Sequence, residues 1–208
     1  MKTIKNTKTL ALMGVLIAIE LVLTFTPLGF IPLGFMNATT LHIPVIIGAI
    51  FLGPVAGGVL GGVFGLLSVI TNTIRPGVTS FVFSPFITIG GVTGNFMSLV
   101  VAIVPRVLIG ITAYYAFKWI SKIDKTKITA YIVAGVVGSL TNTIFVMSGI
   151  YLFFGEPYAA AKGVDFGALF GVIMGIVGIN GVPEAIVAGV LVLAIGKVLG
   201  QIFFRNRV

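Results

Sequence analysis

The 208-residue chain has a mean hydropathy of +1.19, with 58% hydrophobic and 9% charged residues. Soluble domains carry about 25% charged residues, so this composition excludes a soluble globular domain and indicates an integral membrane protein. The net charge of +8 comes from Lys and Arg flanking apolar segments, and therefore does not indicate nucleic-acid binding. The absence of cysteine excludes a disulfide framework, a thiolate catalyst and a Cys metal site.

Six hydrophobic segments follow one another along the chain. A spanning helix needs about 20 apolar residues, which leaves room for about six spans and no separate soluble domain. We predict an all-α protein whose residues 1–208 form one membrane domain, with spans at about 9–26, 39–52, 54–73, 97–120, 128–154 and 180–204. Residues 155–165 are predicted to form a polar loop, and 166–204 to be broken at 180–183.

The first span carries small residues at helical spacing. Gly14 and Ala18 stand four residues apart, with Ala11 one turn below, and such a face lets another helix approach closely. The face either packs inside the fold or docks a partner helix. Glu20 in the same span is costly unless it is paired or lies near a polar cavity.

Glycines at four-residue spacing form two ladders, which we name by position. The first ladder comprises Gly53, Gly57, Gly61 and Gly65, and the second comprises Gly163, Gly167, Gly171 and Gly175. Four-residue spacing places each set on one helix face, where a neighbouring backbone can pack closely. Polar clusters at 37–42 and 71–75 flank the first ladder, which predicts a tight helical scaffold with a polar pocket at its outer end. The alternative is that the glycines serve packing only and the polar residues are ordinary loop.

Residues 75–95 form the longest stretch without helical periodicity and are rich in Pro, Gly and Phe. Long irregular loops in compact folds are usually functional or disordered, and the aromatic residues argue for order. We predict an ordered irregular outer loop, a cap or lid, between the third and fourth spans. The fourth span is predicted to be interrupted at Pro105-Arg106.

Lys and Arg predict the orientation. Ten lie on the side that holds the N-terminus, the 118–127 loop and the C-terminus, against two, Arg75 and Lys162, on the other. Positive residues favour the cytoplasm, so both termini are predicted to be cytoplasmic and the pocket to open outward.

The polar residues on the outward side are mostly neutral hydrogen-bonding groups. The candidates are Asn37, Thr39, His42, Asn72, Arg75, Ser80, Arg106, Asn142, Asn180 and Glu184. This set suits a small polyhydroxylated or amide-bearing molecule, including an anionic one, and does not suit ion conduction, which requires charged rings or carbonyl filters. His42 alternatively serves as a capping or packing residue.

Catalytic and energy-coupling motifs are missing from the sequence. One histidine, no HExxH and no GxSxG argue against a metal site and against hydrolase chemistry. No GxxxxGK[ST] is present, so no cofactor or bound nucleotide is predicted. The chain is predicted to be a passive receptor or a subunit of a larger machine rather than an enzyme, with an intramembrane enzyme as the alternative from another class.

Several blocks together resemble one family. They are NATTLHIPVIIGAIFLGP at 37–54, VFGLLSVITNT at 63–73, SFVFSP at 80–85, PRVLIG at 105–110, GSLTNTIFVMSGIY at 138–151 and NGVPEAIVAGVLV at 180–192. Across essentially the whole chain they are similar to the substrate-binding (S) component of energy-coupling-factor (ECF) vitamin transporters. The resemblance implies a multi-pass protein of a prokaryotic cell membrane that captures a vitamin outside. It also implies docking on a transmembrane coupling subunit driven by two cytoplasmic ATPases, and toppling within the membrane to release the vitamin inside.

The blocks at 37–44 and 80–85 most resemble pantothenate-specific members. The resemblance implies that Arg75 or Arg106 holds the carboxylate of the vitamin and that Phe83 covers its gem-dimethyl group. It places the docking face at Gly14 and Ala18, where the family usually has two alanines. Hydroxyl and amide groups of the vitamin would bind to Asn37, Thr39, Asn72, Asn142 and Asn180.

Alternatives remain for the substrate and for three of these residues. An S component for pyridoxine or hydroxymethylpyrimidine would need stacking rings and no arginine. Arg106 alternatively satisfies carbonyls that Pro105 leaves free. Glu184 alternatively caps the last helix, and Asn142 alternatively bridges two helices.

Overall fold

The computed structural model describes residues 7–32 and 37–205, with the backbone alone for 30–32, 37, 38 and 203–205. Its α-helices are α1 (Thr7–Phe25), α2 (His42–Leu52), α3 (Pro54–Ile74), α4 (Phe96–Ile120), α5 (Ile128–Lys162), α6 (Phe166–Ile176) and α7 (Val182–Arg205). Five helical segments are long and apolar enough to span a membrane, counting α6 and α7 as one, and α2 is a shorter apolar helix. The prediction of a mostly helical membrane protein is confirmed.

The centre of the bundle is formed by α4, which packs against both α3 and α5, while α7 packs on α5 and α2 on α3. Leu60, Ile109 and Ala134, one from each of the three central helices, are completely buried in the main apolar cluster. Many large apolar side chains point outward instead, including Leu152 and Val190. Such a surface suits contact with lipid tails and not with water.

The first glycine ladder packs against the backbone of α4. A Cβ atom added at Gly61 would lie 2.9 Å from Val107 Cα, and one added at Gly65 would lie 2.8 Å from Ile103 Cα. Real Cβ atoms essentially never approach this closely, so only glycine permits the α3–α4 distance. The predicted close approach of a neighbouring backbone is confirmed for Gly57, Gly61 and Gly65, but not for Gly53.

The fifth helix is longer than the sequence predicts. The expected end at residue 154 coincides with Phe154, whose φ of −134° and ψ of 19° are non-helical, but the chain bends there and continues as helix to Lys162. The predicted loop over 155–165 is therefore wrong for 155–162. Pro157 follows the bend by three residues, in the first turn of the resumed helix, where a missing N–H is tolerated.

The predicted break at 180–183 is also wrong. Residues Val177–Gly181 form a π-helical turn that joins α6 to α7 without leaving helical geometry. Val182 donates its backbone N–H to the Val177 carbonyl, five residues back. A local π adjustment of this kind accommodates a proline such as Pro183 within a membrane helix. Likewise α4 runs through Pro105 without the predicted interruption.

Two short hairpins and two 3₁₀ turns, Pro27–Gly29 and Ser80–Val82, occupy the connections. Strands β1 (Phe30–Pro32) and β2 (Asn37–Thr39) pair antiparallel before α2, as do β3 (Thr88–Ile89) and β4 (Val92–Thr93) before α4. Gly90 and Gly91 have positive φ angles, which a two-residue hairpin turn requires. These strands are not predictable from the sequence, since two- and three-residue pairs are too short to show alternation.

At the end of α4 opposite to the β3–β4 hairpin, Asp124 organises the short connection between α4 and α5. Its carboxylate accepts hydrogen bonds from the Thr126 hydroxyl at 2.6 Å and from the Thr129 backbone N–H at 2.7 Å. The hydrogen bond from Thr126 is the main reason that the pKa of Asp124 is lowered. An acceptor at this position satisfies free N–H groups at the start of α5.

Candidate functional site

Three predicted site residues meet where β2, α2 and α7 converge. The Thr39 hydroxyl donates a hydrogen bond to Glu184 Oε1. His42 Nδ1 lies 3.6 Å from the same oxygen, and the His42 side chain is 1% exposed. Because β2 leads directly into α2, Thr39 and His42 lie near each other. Their contacts with Glu184 hold the first turn of α7 against the start of α2. Thr39 and His42 therefore reach one carboxylate far away in sequence.

Arg106 is buried on α4, and part of its hydrogen-bonding capacity serves the helix itself. Pro105 has no N–H to donate to the carbonyl of Val101, four residues back. Arg106 Nη1 donates to this carbonyl at 2.8 Å. The alternative that Arg106 satisfies a carbonyl left free by Pro105 is thereby confirmed, and the guanidinium is held in a fixed position.

Aromatic rings hold the rest of the Arg106 guanidinium. Its Cζ lies 5.2 Å from the centre of the Phe83 ring and 5.6 Å from the centre of the Phe64 ring. Phe83 belongs to the segment between α3 and α4, so the loop closes over the arginine. Arg106 and Glu184, which contacts Thr39 and His42, lie close enough for their opposite charges to interact, but they form no salt bridge among the described residues. We call these five residues (Thr39, His42, Phe83, Arg106 and Glu184) the central polar cluster.

Asn72 and Ser80 also meet, but they bind each other. Ser80 Oγ donates to Asn72 Oδ1 at 2.6 Å and accepts the backbone N–H of Gly77 at 2.9 Å. Asn72 Nδ2 donates to the Ser68 carbonyl at 2.8 Å. These bonds fasten the segment after α3 to the end of that helix. Nearby, the Thr73 and Ser84 hydroxyls share a hydrogen bond of 2.7 Å, which strengthens the same attachment.

The other predicted site residues lie in different surroundings. Arg75 is exposed at the end of α3, and Asn180 is partly exposed in the π turn. Asn142 is half-buried on α5. Asn37 lies in β2, and its side chain is outside the described part of the chain. The binding roles of all these residues stay predictions.

Several polar atoms near the predicted site have no hydrogen-bond partner among the described residues. They include Nε2 of His42, Nε of Arg106 and Oδ1 of Asn142, all of them buried. Buried polar groups are nearly always hydrogen-bonded in native proteins, and exceptions call for an explanation. A small polar ligand that donates and accepts hydrogen bonds would satisfy such groups.

The predicted docking residues Ala11, Gly14 and Ala18 are all exposed on α1. No described atom lies within 4 Å of a Cβ placed at Gly14. The opposite side of α1 buries Met13 and Glu20. Within the described chain, the small-residue face is therefore available to lipid or to another protein, which excludes the alternative that it packs inside this fold.

Sequence reasoning missed Phe64, and it noticed Glu20 without including it among the site residues. Phe64, on the first-ladder helix, contacts Arg106, and nothing in the sequence separates it from an ordinary core phenylalanine. Glu20 is completely buried on α1. A carboxylate within an apolar span was the signal that marked Glu20 as unusual, although spacing alone gave it no partner.

Comparisons with known proteins agree with this architecture. The family model described as "ECF transporter, substrate-specific component" matches residues 8–196. The chain is 40% identical over 161 residues to the pantothenic acid transporter PanT of Lactococcus lactis subsp. cremoris, a match that covers 77% of this chain and 76% of the relative. It is 32% identical over 207 residues to the pantothenate transporter PanT of Leuconostoc mesenteroides, covering 96% of each chain.

Proposed function

The chain belongs to the family of substrate-specific components of ECF transporters, and on that basis we propose that it binds pantothenate with high affinity for uptake into the cell. The observation that carries the choice of vitamin is the 40% identity to a pantothenic acid transporter. The presence of a buried arginine also favours an anionic vitamin over pyridoxine, which is neutral and needs no cation.

Pantothenate has one carboxylate, one amide and two hydroxyl groups. We assign the carboxylate to Arg106, because this arginine is buried in the central polar cluster while Arg75 is exposed. Arg106 Nε has no described partner and can donate to an incoming carboxylate. Charge-assisted hydrogen bonds of this kind are shorter and stronger than neutral ones.

The rest of the central polar cluster suits the other end of the vitamin. Glu184 accepts a hydrogen bond from Thr39 and has further lone pairs for substrate hydroxyl groups. His42 Nε2 is buried without a described partner and can serve the same groups. Phe83, which already stacks over Arg106, can shield the gem-dimethyl group from water. Asn142 is a second neutral contact in this proposal.

The proposed transport cycle follows the family. The chain, a single membrane domain with both termini in the cytoplasm, captures pantothenate from outside the plasma membrane. It then docks on a transmembrane coupling subunit through Ala11, Gly14 and Ala18. ATP hydrolysis by two partner subunits drives toppling and release, so the chain itself performs no catalysis.

Calorimetric titration of the purified chain in detergent tests the substrate. We expect tight binding of pantothenate, much weaker binding of its methyl ester, and no binding of pyridoxine. The ester keeps the amide and both hydroxyl groups and removes only the charge, so it isolates the arginine contact. Tight binding of pyridoxine in place of pantothenate would overturn the substrate while leaving the family unchanged.

A further inference from the structure

Glu20 and Glu184 are both glutamates within apolar helices, but only Glu184 has partners. Glu20 is 0% exposed, and neither of its carboxyl oxygens accepts a hydrogen bond from any described residue. Thr24, one turn further along α1, has a buried hydroxyl in the same condition. Because an unsatisfied buried polar group destabilises a fold, ionisable residues inside membrane segments are usually retained for function.

Two contacts fix the height of Glu20 in the bundle. A Cβ atom placed at Gly48 of α2 would lie 3.1 Å from Leu16 Cδ1. Beyond the end of α1, the Thr40 backbone N–H donates to the Gly29 carbonyl at 2.9 Å, so α1 and α2 run in opposite directions. Glu20 lies one turn after Leu16, about 6 Å along the axis, which is the height of the first turn of α2.

The first turn of α2 begins with His42, a member of the central polar cluster. His42 is 1% exposed, and Glu20 is equally buried at the same level. Both side chains are therefore buried at about one height, near the ends of α1 and α2 that the β1–β2 hairpin connects. They place unpartnered acceptors and donors in the layer of the molecule that contains the proposed substrate site.

We propose that Glu20 is a further substrate-binding residue, whose carboxyl group accepts hydrogen bonds from the hydroxyl groups of the substrate. The inference rests on the proposed function, in which Arg106 binds the carboxylate of the substrate. Glu20 would add a group that binds its hydroxyl groups. The Thr24 hydroxyl, one turn away, supplies a second polar contact. In this arrangement α1 presents its small-residue face outward and a substrate contact inward.

A comparison of two ligands and four proteins tests the role of Glu20. Binding of pantothenate, and of the analogue in which hydrogen replaces both hydroxyl groups, is measured for the unmodified chain, Glu20→Gln, Glu20→Leu and Glu156→Gln. Glu156 is exposed on α5 and serves as the matched control. We expect each Glu20 variant to lose about 10- to 100-fold in affinity for pantothenate and less than about twofold for the analogue. Glu156→Gln should bind both ligands as the unmodified chain does.

Equal losses for both ligands, or no loss for either, would overturn the proposal. Melting temperatures of the ligand-free proteins provide a second readout, since removal of an unsatisfied buried group should maintain or raise the melting temperature of Glu20→Leu. A lower melting temperature would assign Glu20 to folding and overturn its proposed role. Failure of the unmodified chain to bind pantothenate would instead overturn the proposed function, and the Glu20 inference with it.

Discussion

The two glycine ladders have the same spacing and opposite surroundings. Gly61 and Gly65 of the first ladder touch the backbone of α4, where an added Cβ would collide with main-chain atoms. Around Gly167, Gly171 and Gly175 of the second ladder, no described atom lies within 4 Å of such a Cβ. Spacing therefore predicts that glycines share a face, but not what the face contacts.

The difference has a physical basis in the membrane. Lipid tails are as apolar as leucine, so helix association depends on close packing and hydrogen bonds rather than on the hydrophobic effect. The first ladder has a partner helix that carries its own small residue: Gly110 of α4 faces the backbone of Gly57. The second ladder has no such partner within the described chain.

Gly61→Leu should produce the largest effect. A Cβ atom at this position would lie 2.6 Å from the carbonyl carbon of Arg106, so a leucine must push α4 away. We expect loss of folded protein, measured as the monodisperse fraction after size-exclusion chromatography in detergent. Gly171→Leu is the matched control and should leave that fraction unchanged. Normal folding of Gly61→Leu would remove the distinction between the ladders.

Gly14→Leu tests whether an exposed glycine face serves to dock another protein. Gly14 is as open as Gly171, so the variant should fold and bind pantothenate normally. Because Gly14 belongs to the proposed docking face, we expect co-purification with the coupling subunit and vitamin uptake by cells to be lost. Gly171→Leu should retain both. Uptake that survives Gly14→Leu would place the docking face elsewhere.

Arg106→Lys tests whether the packed region also contains the substrate anchor. Lysine keeps the charge but lacks the planar fork of donors that contacts Val101 and the two phenyl rings. We expect at least about a tenfold loss of pantothenate affinity, the equivalent of one hydrogen bond to a charged group. The methyl ester should lose less than pantothenate itself. An equal loss for both ligands would indicate a purely structural arginine.

Gly110→Ala adds the smallest side chain to the packed region, where its closest approach would be to the carbonyl group of Gly57. A Cβ atom there would lie 2.7 Å from Gly57 Cα. Overpacking of a close contact typically costs about 1–3 kcal/mol, so the melting temperature should fall measurably. Gly167→Ala, in the open ladder, should change stability by no more than about 0.5 kcal/mol. Equal shifts for the two variants would contradict the comparison.

Arg75→Ala should have the smallest effect on binding. Arg75 is exposed, and charges at exposed positions are screened by salt and contribute little to affinity. We expect less than about a twofold change in pantothenate affinity by calorimetry. A hundredfold loss would move the carboxylate contact from Arg106 to Arg75.

Much of the helical fold could be predicted because apolar length and polar breaks determine membrane spans. The errors occurred at Pro105, Phe154 and Pro183, where the backbone continues, bends or adopts a π turn and stays helical. Membrane helices tolerate proline because local adjustments and neighbouring groups satisfy the backbone groups that it leaves free. Proline is therefore a weaker break signal here than in soluble proteins.

The candidate site was less predictable than the helices. Polar type and outward position selected Thr39, His42 and Glu184, which the structure places in contact with one another. The same criteria also selected Asn72 and Ser80, which bind each other and fasten the loop. The sequence shows which polar groups need hydrogen-bond partners. Only the fold determines whether another residue is that partner or whether the group stays available to a ligand.

Pro105 has a consequence for the hydrogen-bonding capacity of Arg106. An arginine offers five N–H donors, and this proline engages one of them by leaving the Val101 carbonyl without a backbone donor. Pro105, whose ring carries no polar group, thus determines how many N–H donors of Arg106 remain for a ligand. Alanine at position 105 would return that donor to the guanidinium without altering any proposed contact residue. Under the proposed role of Arg106, the helix backbone thus influences how the substrate carboxylate is held.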